Sequence, residues 1–235
     1  MRYSICLLFF LFPLLLLAEE PVAWINFLSG EVYCSNEVEY SNCFRYKSDD
    51  LVPVYSGFKL FAGDRVHVKQ GSKADIQFKS GSIVRQMEGQ VDINENGLDS
   101  GAMSFKAFFK ITKQAAGKIF KVNSNTATVG VRRTEFLFKS EGKEDNQHFS
   151  LSDDGIEPGV YVSNGEVEVS SSCFLGLFCK DPVTLGSNEQ VIFDQGLDKQ
   201  TINSSIKAKI NSIKTSQDSS SNEKSNSGCI PCSCW

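Results

Sequence analysis

From residue 22 to residue 196 the chain is written in short runs of alternating apolar and polar positions, broken about every ten residues by Gly, Asn, Asp or Ser. Alternation at period two marks strands with one buried face, and breaks at that spacing point to a sandwich, a barrel or a β-solenoid. Ala74-Asp75-Ile76-Gln77-Phe78 alternates strictly; Val91-Asp92-Ile93, Val160-Tyr161-Val162, Val167-Glu168-Val169 and Val191-Ile192-Phe193 read as further strands. Asn164-Gly165, between two such runs, is the strongest hairpin signal, because both residues tolerate positive φ. Lys79-Ser80-Gly81-Ser82 predicts a similar turn, and no strict internal repeat is visible.

The pattern is strongest over residues 121–138, KVNSNTATVGVRRTEFLF. Phe120, Val122, Val129, Val131, Phe136 and Phe138 predict two strands with a turn between them, and Gly130 in mid-strand predicts a bulge or the close approach of another backbone. Residues 99–117 are less regular. Phe105, Phe108, Phe109 and Ile111 read as one strand with a doubled aromatic or as a helical turn, and the strand is the expectation carried forward. Most of the eighteen phenylalanines are expected in the core, whereas an exposed Phe108-Phe109 pair would mark a binding face.

After Gly196 the period changes. Ile202, Ile206, Ile210 and Ile213 recur at three and four, with Lys207, Lys209 and Lys214 between them, so residues 199–215 predict an amphipathic helix docked on the β domain. Residues 216–228 are Ser, Asn, Asp and Lys, too polar to offset the cost of ordering, and are expected to be disordered. At the other end Arg2, the apolar run 5–17 and Ala18 before Glu19 read as an export signal cleaved after Ala18. The expected organisation is therefore a signal peptide (1–18), an all-β domain (19–198), a helix (199–215) and a disordered, cysteine-containing tail (216–235). The fold class is a twisted β-solenoid or sandwich-like stack of short, mostly antiparallel strands with one C-terminal helix.

Loss of the leader takes the charge balance from 24 basic against 28 acidic residues to 23 against 28. Mild acidity argues against nucleic acid or anionic lipid as the main partner. The apolar run of the leader is short of the roughly 20 residues that span a bilayer, Pro13 interrupts it, and no second run is long enough, so the mature form is expected without a transmembrane span, periplasmic or envelope-associated.

An oxidising compartment makes disulfides the default for the seven remaining cysteines. Cys34 and Cys43 flank a polar segment, and Cys173 and Cys179 flank Phe174-Leu175-Gly176-Leu177-Phe178; each pair is read as a local disulfide across a loop. Cys229, Cys232 and Cys234 lie in GCIPCSCW. The reading there is one tail disulfide plus an odd thiol able to pair between chains, since redox chemistry wants a helix N-terminus and zinc a fourth ligand.

Catalytic constellations are absent from the sequence: no Gly-x-Ser-x-Gly, no His-Glu-x-x-His, no phosphate loop, and two histidines. His67, in Val66-His67-Val68, reads as an outward strand residue and His148 as solvated; Asp153-Asp154-Gly155 reads as a turn short of calcium ligands. No catalysis, metal or cofactor is expected. The most informative polar cluster is Arg132, Arg133 and Glu135. It reads either as a partner-facing patch or as two solvated arginines with Glu135 pairing locally.

The segment Thr126-Ala127-Thr128-Val129-Gly130-Val131-Arg132-Arg133-Thr134-Glu135-Phe136 resembles the hallmark of the FecR domain family, which usually has glycine where Arg133 stands. Upstream, Gly63-Asp64-Arg65-Val66, residues 71–78 and Ser80-Gly81-Ser82 resemble that family's early strands; residues 159–169 and 185–196 resemble its closing hairpins. The similarity spans roughly residues 24–196 and in the family makes 99–117 a strand leading into the hallmark. If the family glycine serves a positive φ, Arg133 carries about 1–2 kcal/mol of strain or the turn is rebuilt.

The resemblance implies an exported module that binds another envelope protein, such as an outer-membrane receptor or a membrane-anchored regulator, with β-augmentation at exposed strand edges as one mode. The cytoplasmic anti-sigma segment and membrane span of iron-transport FecR proteins have no counterpart here, so direct signalling to a sigma factor is not expected of this chain alone. The other reading is a structural or cell-wall-associated envelope protein.

Overall fold

In the computed structural model the described residues are 20–36, 41–43, 51–112, 114, 118–142, 151–171 and 181–226, with side chains to residue 219. Residues 1–18, where an export signal is expected, and His148, Cys173, Cys179, Cys229, Cys232 and Cys234 lie outside them.

The chain enters in β1 (Ala23–Ser29), turns at Gly30 into β2 (Val32–Ser35), and passes through β3 (Val52–Pro53), β4 (Lys59–Leu60), β5 (Arg65–Val68) and β6 (Lys73–Phe78) to the twelve-residue β7 (Ile83–Asn94). Then come β8 (Gly97–Asp99), β9 (Phe105–Ile111), β10 (Phe120–Asn123), β11 (Ala127–Val131), β12 (Thr134–Ser140) and β13 (Gly159–Asn164). β14 (Val167–Ser171), β15 (Val183–Leu185), β16 (Glu189–Ile192) and β17 (Gln200–Thr201) complete the strands, and helix α1 (Ser204–Asn226) follows.

Pairing sorts these strands into two layers. A near layer runs β4-β1-β6-β7-β9-β12-β13-β16-β17. A far layer runs β3-β2-β5-β7-β8-β10-β11-β14-β15. β7 belongs to both, so the seventeen strands form one connected sheet folded over on itself. Every pairing is antiparallel except that of β8 with β10. The protein is thus all-β, mostly antiparallel and carries one C-terminal helix, as the alternation predicts.

The alternating apolar positions of both layers meet in one core. Ile25, Ile76, Val84, Phe109, Phe136 and Val160 come from the near layer, and Val66, Val91, Phe120, Val129 and Val167 from the far layer. Phe120 joins the layers, edge-on to Phe78 at 5.1 Å and to Phe109 at 6.3 Å between ring centroids, while Phe109 stacks on Phe136 at 4.5 Å. Such pairs add about 0.5–1.5 kcal/mol each beyond area burial.

Several local expectations are corrected. Residues 121–138 hold parts of three strands, because Val129 and Val131 face the core from the far layer and the chain then crosses at Arg132-Arg133 into the near layer. Gly130 makes no bulge: β11 keeps regular register with β10 and β14, and a Cβ there would meet only the Ile119 side chain at 3.5 Å. Asn164-Gly165 does not close a hairpin, since β13 pairs with β12 and β16 whereas β14 pairs with β11 and β15; the turn carries the chain between layers. The Lys79-Ser82 turn is present, with the Gly81 N–H donating to Phe78 O at 2.8 Å.

Helix α1 starts at Ser204, because Gln200 and Thr201 are taken by β17, and continues to Asn226, beyond the end of its isoleucine stripe. Asn203 caps it, its Oδ1 accepting the Ile206 N–H at 2.8 Å. Past Ile213 polar contacts hold it: Ser216 Oγ accepts from Arg85 Nη1 at 2.6 Å, and Asp218 pairs with Lys110 at 2.8 Å.

The Cys34–Cys43 disulfide forms as expected, with Cα atoms 5.3 Å apart. Its loop is fastened to buried Asp64, which accepts from the Phe61 N–H, from Asn36 Nδ2 and, in a short hydrogen bond, from Ser41 Oγ. His67 holds the outward position of β5, between the core residues Val66 and Val68, but it is not solvated. It is buried beside Ser35, whose Oγ lies 2.8 Å from His67 Nε2. Burial first, and the charge of Arg65 second, push its pKa down to about 4.

His67 therefore stays neutral in the folded chain while the unfolded chain protonates near pH 6.5. Stability present above that pH is lost as pH falls towards about 4, by about 3 kcal/mol in all. Urea unfolding at pH 7 and pH 4.5 should show a smaller acid loss in His67→Gln than in the wild type. Parallel losses would show that His67 titrates normally.

Candidate functional site

Three layer crossings stack along one rim of the sandwich: Arg132-Arg133 between β11 and β12, Gly165-Glu166 between β13 and β14, and residues 186–188 between β15 and β16. The β6–β7 turn and the segment after β9 continue the row. Thr112 Oγ1 donates to Ser80 O at 2.9 Å, and Gln114 Nε2 to Ser82 Oγ at 2.9 Å. The Gln114 N–H donates to Arg132 O at 3.3 Å, Thr134 Oγ1 to Glu166 O at 2.7 Å, and the Gly165 N–H to Ser187 Oγ at 3.0 Å. Each turn thus holds the next, and the arginine turn is fixed from both sides.

The packing between these turns decides where glycine is needed. Gly165 has φ +93°, and a Cβ on it would lie 2.6 Å from Arg133 O. Arg133 itself is outside the left-handed region: among the described residues Asn188 is the one non-glycine with positive φ. The strain expected at Arg133 is therefore absent, because its turn is a crossover between layers whose close backbone approach falls at Gly165.

Arg132 and Arg133 are both exposed. Among the described residues no carboxylate pairs with either. Glu135 does not neutralise them; its Oε2 lies 2.5 Å from Lys214 Nζ on α1, an association with the helix and not with its own turn. The predicted cluster is thus divided. What remains is two exposed arginines, neighbours in sequence, on a turn whose backbone is held from both sides, each a forked donor suited to two-pronged recognition of a carboxylate.

Phe108 and Phe109 are not a surface pair. Successive side chains of a strand point to opposite faces, so Phe109 enters the core while Phe108 lies on the outer face of the near layer, and α1 covers it. Around Phe108 lies a smaller apolar cluster of Leu137, Ile156, Tyr161, Ile202, Ile206 and Ile210.

That face also carries charges. Arg85, 1% exposed, is held in a fork by Asp75, with Nε at 2.6 Å and Nη2 at 2.7 Å from the two carboxylate oxygens. Lys106 and Lys139, both buried, reach Asp154 at 3.1 and 3.3 Å, and Lys139 also donates to Ile156 O at 2.7 Å. Burial alone would raise the Asp154 pKa, but the Lys106 and Lys139 ammonium groups and the Ile156 N–H outweigh it and hold it below the ordinary value. Burial likewise raises the Tyr161 phenol, whose hydroxyl donates to Glu157 O. Glu88 takes the Ser152 N–H at 2.6 Å and hydroxyl at 2.8 Å.

None of these charges is apparent as buried from the sequence, where Asp75, Arg85, Lys106 and Lys139 occupy the polar positions of alternating strands. The signal available is the isoleucine-striped helix, which needs a covered face somewhere on the sheet. Arg85, Lys106 and Lys139 are buried and paired, and Asp154 is partly exposed. Among the described residues no group of three or more His, Cys, Asp or Glu could hold a metal, and no helix is long and apolar enough to cross a membrane.

No protein-family model and no curated protein matches the chain. Two crystal structures, at 2.50 and 1.65 Å resolution, of a candidate anti-sigma factor from Parabacteroides distasonis ATCC 8503 are similar to part of it, at 20% identity and a TM-score of 0.45. The similarity covers 59% of this chain and 60% of the other. A likeness of that extent carries no argument about activity or partners.

The rim makes separable demands on its residues. Arg132→Ala and Arg133→Ala together should change unfolding stability by no more than about 0.5 kcal/mol. Gly165→Ala should cost about 1–2 kcal/mol or more in the same urea titration, and a neutral Gly165→Ala would contradict the close approach to Arg133 O.

Proposed function

We propose that this chain is an exported, envelope-side FecR-like module for binding or scaffolding, which engages an outer-membrane receptor or a membrane-anchored regulator through its Arg132-Arg133 turn. The observation that carries the reading is the pair of exposed arginines, unneutralised among the described residues, on a turn whose backbone is braced by its neighbours. With the backbone held, only the two side chains have to be ordered when they meet a carboxylate, and each guanidinium fork then discriminates by geometry as well as charge.

Three further features support the reading. The first eighteen residues have the order of an export signal. The Cys34–Cys43 disulfide suits the oxidising side of a membrane. The turn also lies within the segment that resembles the FecR hallmark, and the family's role in sensing envelope partners gives that turn something to recognise. The chemistry assigned to the module is recognition of carboxylate groups on a protein surface, with no covalent step and no cofactor.

In-cell crosslinking of the tagged full-length chain, followed by mass spectrometry, tests this directly. The expected result is one dominant envelope protein, lost from the captured fraction in Arg132→Glu/Arg133→Glu while the variant accumulates and unfolds like the wild type. Capture unchanged by the double reversal would remove the arginine turn from the interface. Capture of peptidoglycan fragments in place of a protein would transfer the assignment to a wall-associated structural role.

A further inference from the structure

We infer that α1 is a detachable strap: it leaves the near layer as one unit while the sandwich stays folded, and its ion pairs act as the latch. Independence of the two parts is visible in the packing. The main core contains residues of both layers and none of α1, whose Ile206 and Ile210 belong only to the small cluster over Phe108, Leu137 and Tyr161. Removing the helix therefore leaves the main core closed.

The charges beneath the helix are arranged consistently with release. Asp75 keeps its forked partner Arg85, and Asp154 keeps Lys106 and Lys139, whether or not α1 is present. No buried charge is stranded, which is the usual barrier to opening such a face. Ahead of the helix the chain stays anchored. β17 is paired with β16, and the Ile202 N–H donates to Asn188 O at 2.9 Å, so the hinge falls at Asn203. Asn203 also caps the first turn, so the helix takes its own start signal with it.

What holds the strap down is partly exposed and so open to screening. Lys214 pairs with Glu135 and Asp218 with Lys110; the side chains of the second pair are 47% and 42% exposed. Lys209 Nζ reaches Asp154 O, and Ser216 receives one donor from Arg85. Such pairs weaken as the screening length falls from about 8 Å at 0.15 M salt to about 3 Å at 1 M. Release bares Phe108, Leu137 and Tyr161 together, an apolar strip edged by the Arg85–Asp75 and Lys–Asp154 pairs, which the attached strap keeps from solvent.

Native-state hydrogen exchange on the full chain, read segment by segment, tests the strap. In the wild type, raising sodium chloride from 0.05 to 1 M should speed exchange across residues 204–219 about fivefold, leaving β7, β9, β12 and β13 unchanged. Ile210→Asp should abolish protection in α1 with those strands still protected, and Lys214→Gln should carry the low-salt rate part of the way to the high-salt one, with the Lys110–Asp218 pair supplying the remaining salt response. If Ile210→Asp removes strand protection or prevents folding, or if helix and strands exchange at one common rate under every condition, α1 is an integral part of the domain and the inference falls. The outcome is independent of whether Arg132 and Arg133 bind a partner.

Discussion

The structure depends on one strand belonging to two layers. β7 pairs with β6 and β9 through its first half and with β5 and β8 through its second, so it must bend where it changes layer. The bend falls at a register shift between Gln86 and Glu88 followed by Gly89, which has φ +93° and whose added Cβ would lie 2.1 Å from Ser104 O. Only glycine fits both the angle and the approach. Gln86, wholly buried, donates to Gly89 O at 2.9 Å and to Val66 O at 3.4 Å, giving the corner's carbonyls a partner inside the core. Without that corner the two ladders would be separate sheets.

From the corner follow the rims. A chain that changes layer every one or two strands places its turns in two rows, and short turns in a row hydrogen-bond to one another. The rigidity of the Arg132-Arg133 turn therefore comes from its neighbours and owes little to its own sequence. The opposite rim shows the same device: Ser72 Oγ accepts the Glu31 N–H at 2.9 Å, Ser104 Oγ the Gly142 N–H at 2.7 Å, and Glu88 the Gly71 N–H at 3.3 Å. The backbone of such a rim is preformed, so only its exposed side chains retain freedom.

The outer face of the near layer obeys a different rule. Its side chains are those of an exposed strand face, charged and mixed, yet the helix and residues 151–157 bury much of it. Burial is tolerable because each charge meets an opposite charge or a backbone carbonyl. The result is a face whose deepest charges, Asp75 with Arg85 and Asp154 with Lys106 and Lys139, are paired within the sheet and its loop, while Glu135 and one arm of Arg85 take partners from the helix. A rim of braced turns on one edge and a helix-covered face beside it give one small domain two surfaces with distinct physics, linked through Glu135, which follows the arginine turn and pairs with Lys214 of α1.

Alternation, turn residues and the isoleucine stripe were enough to establish an all-β domain with one C-terminal helix, the Lys79-Ser82 turn and the Cys34–Cys43 bridge, because each depends on residues close together in the chain; at Phe105–Ile111 the doubled aromatic left strand and helical turn both open. Layer membership was not legible. The same period-two pattern serves a hairpin and a crossover, so Asn164-Gly165 looked like one and is the other, and Gly130 and Arg133 kept conformations that their positions in a motif did not predict. Nor could period two tell an outward position facing water from one that is covered, which is why Asp75, Phe108 and His67 had to wait for the fold. Local sequence determined which residues form strands and which side each side chain takes; only tertiary structure decided which strands are neighbours and what covers their outer faces, because both depend on contacts between residues far apart in the chain.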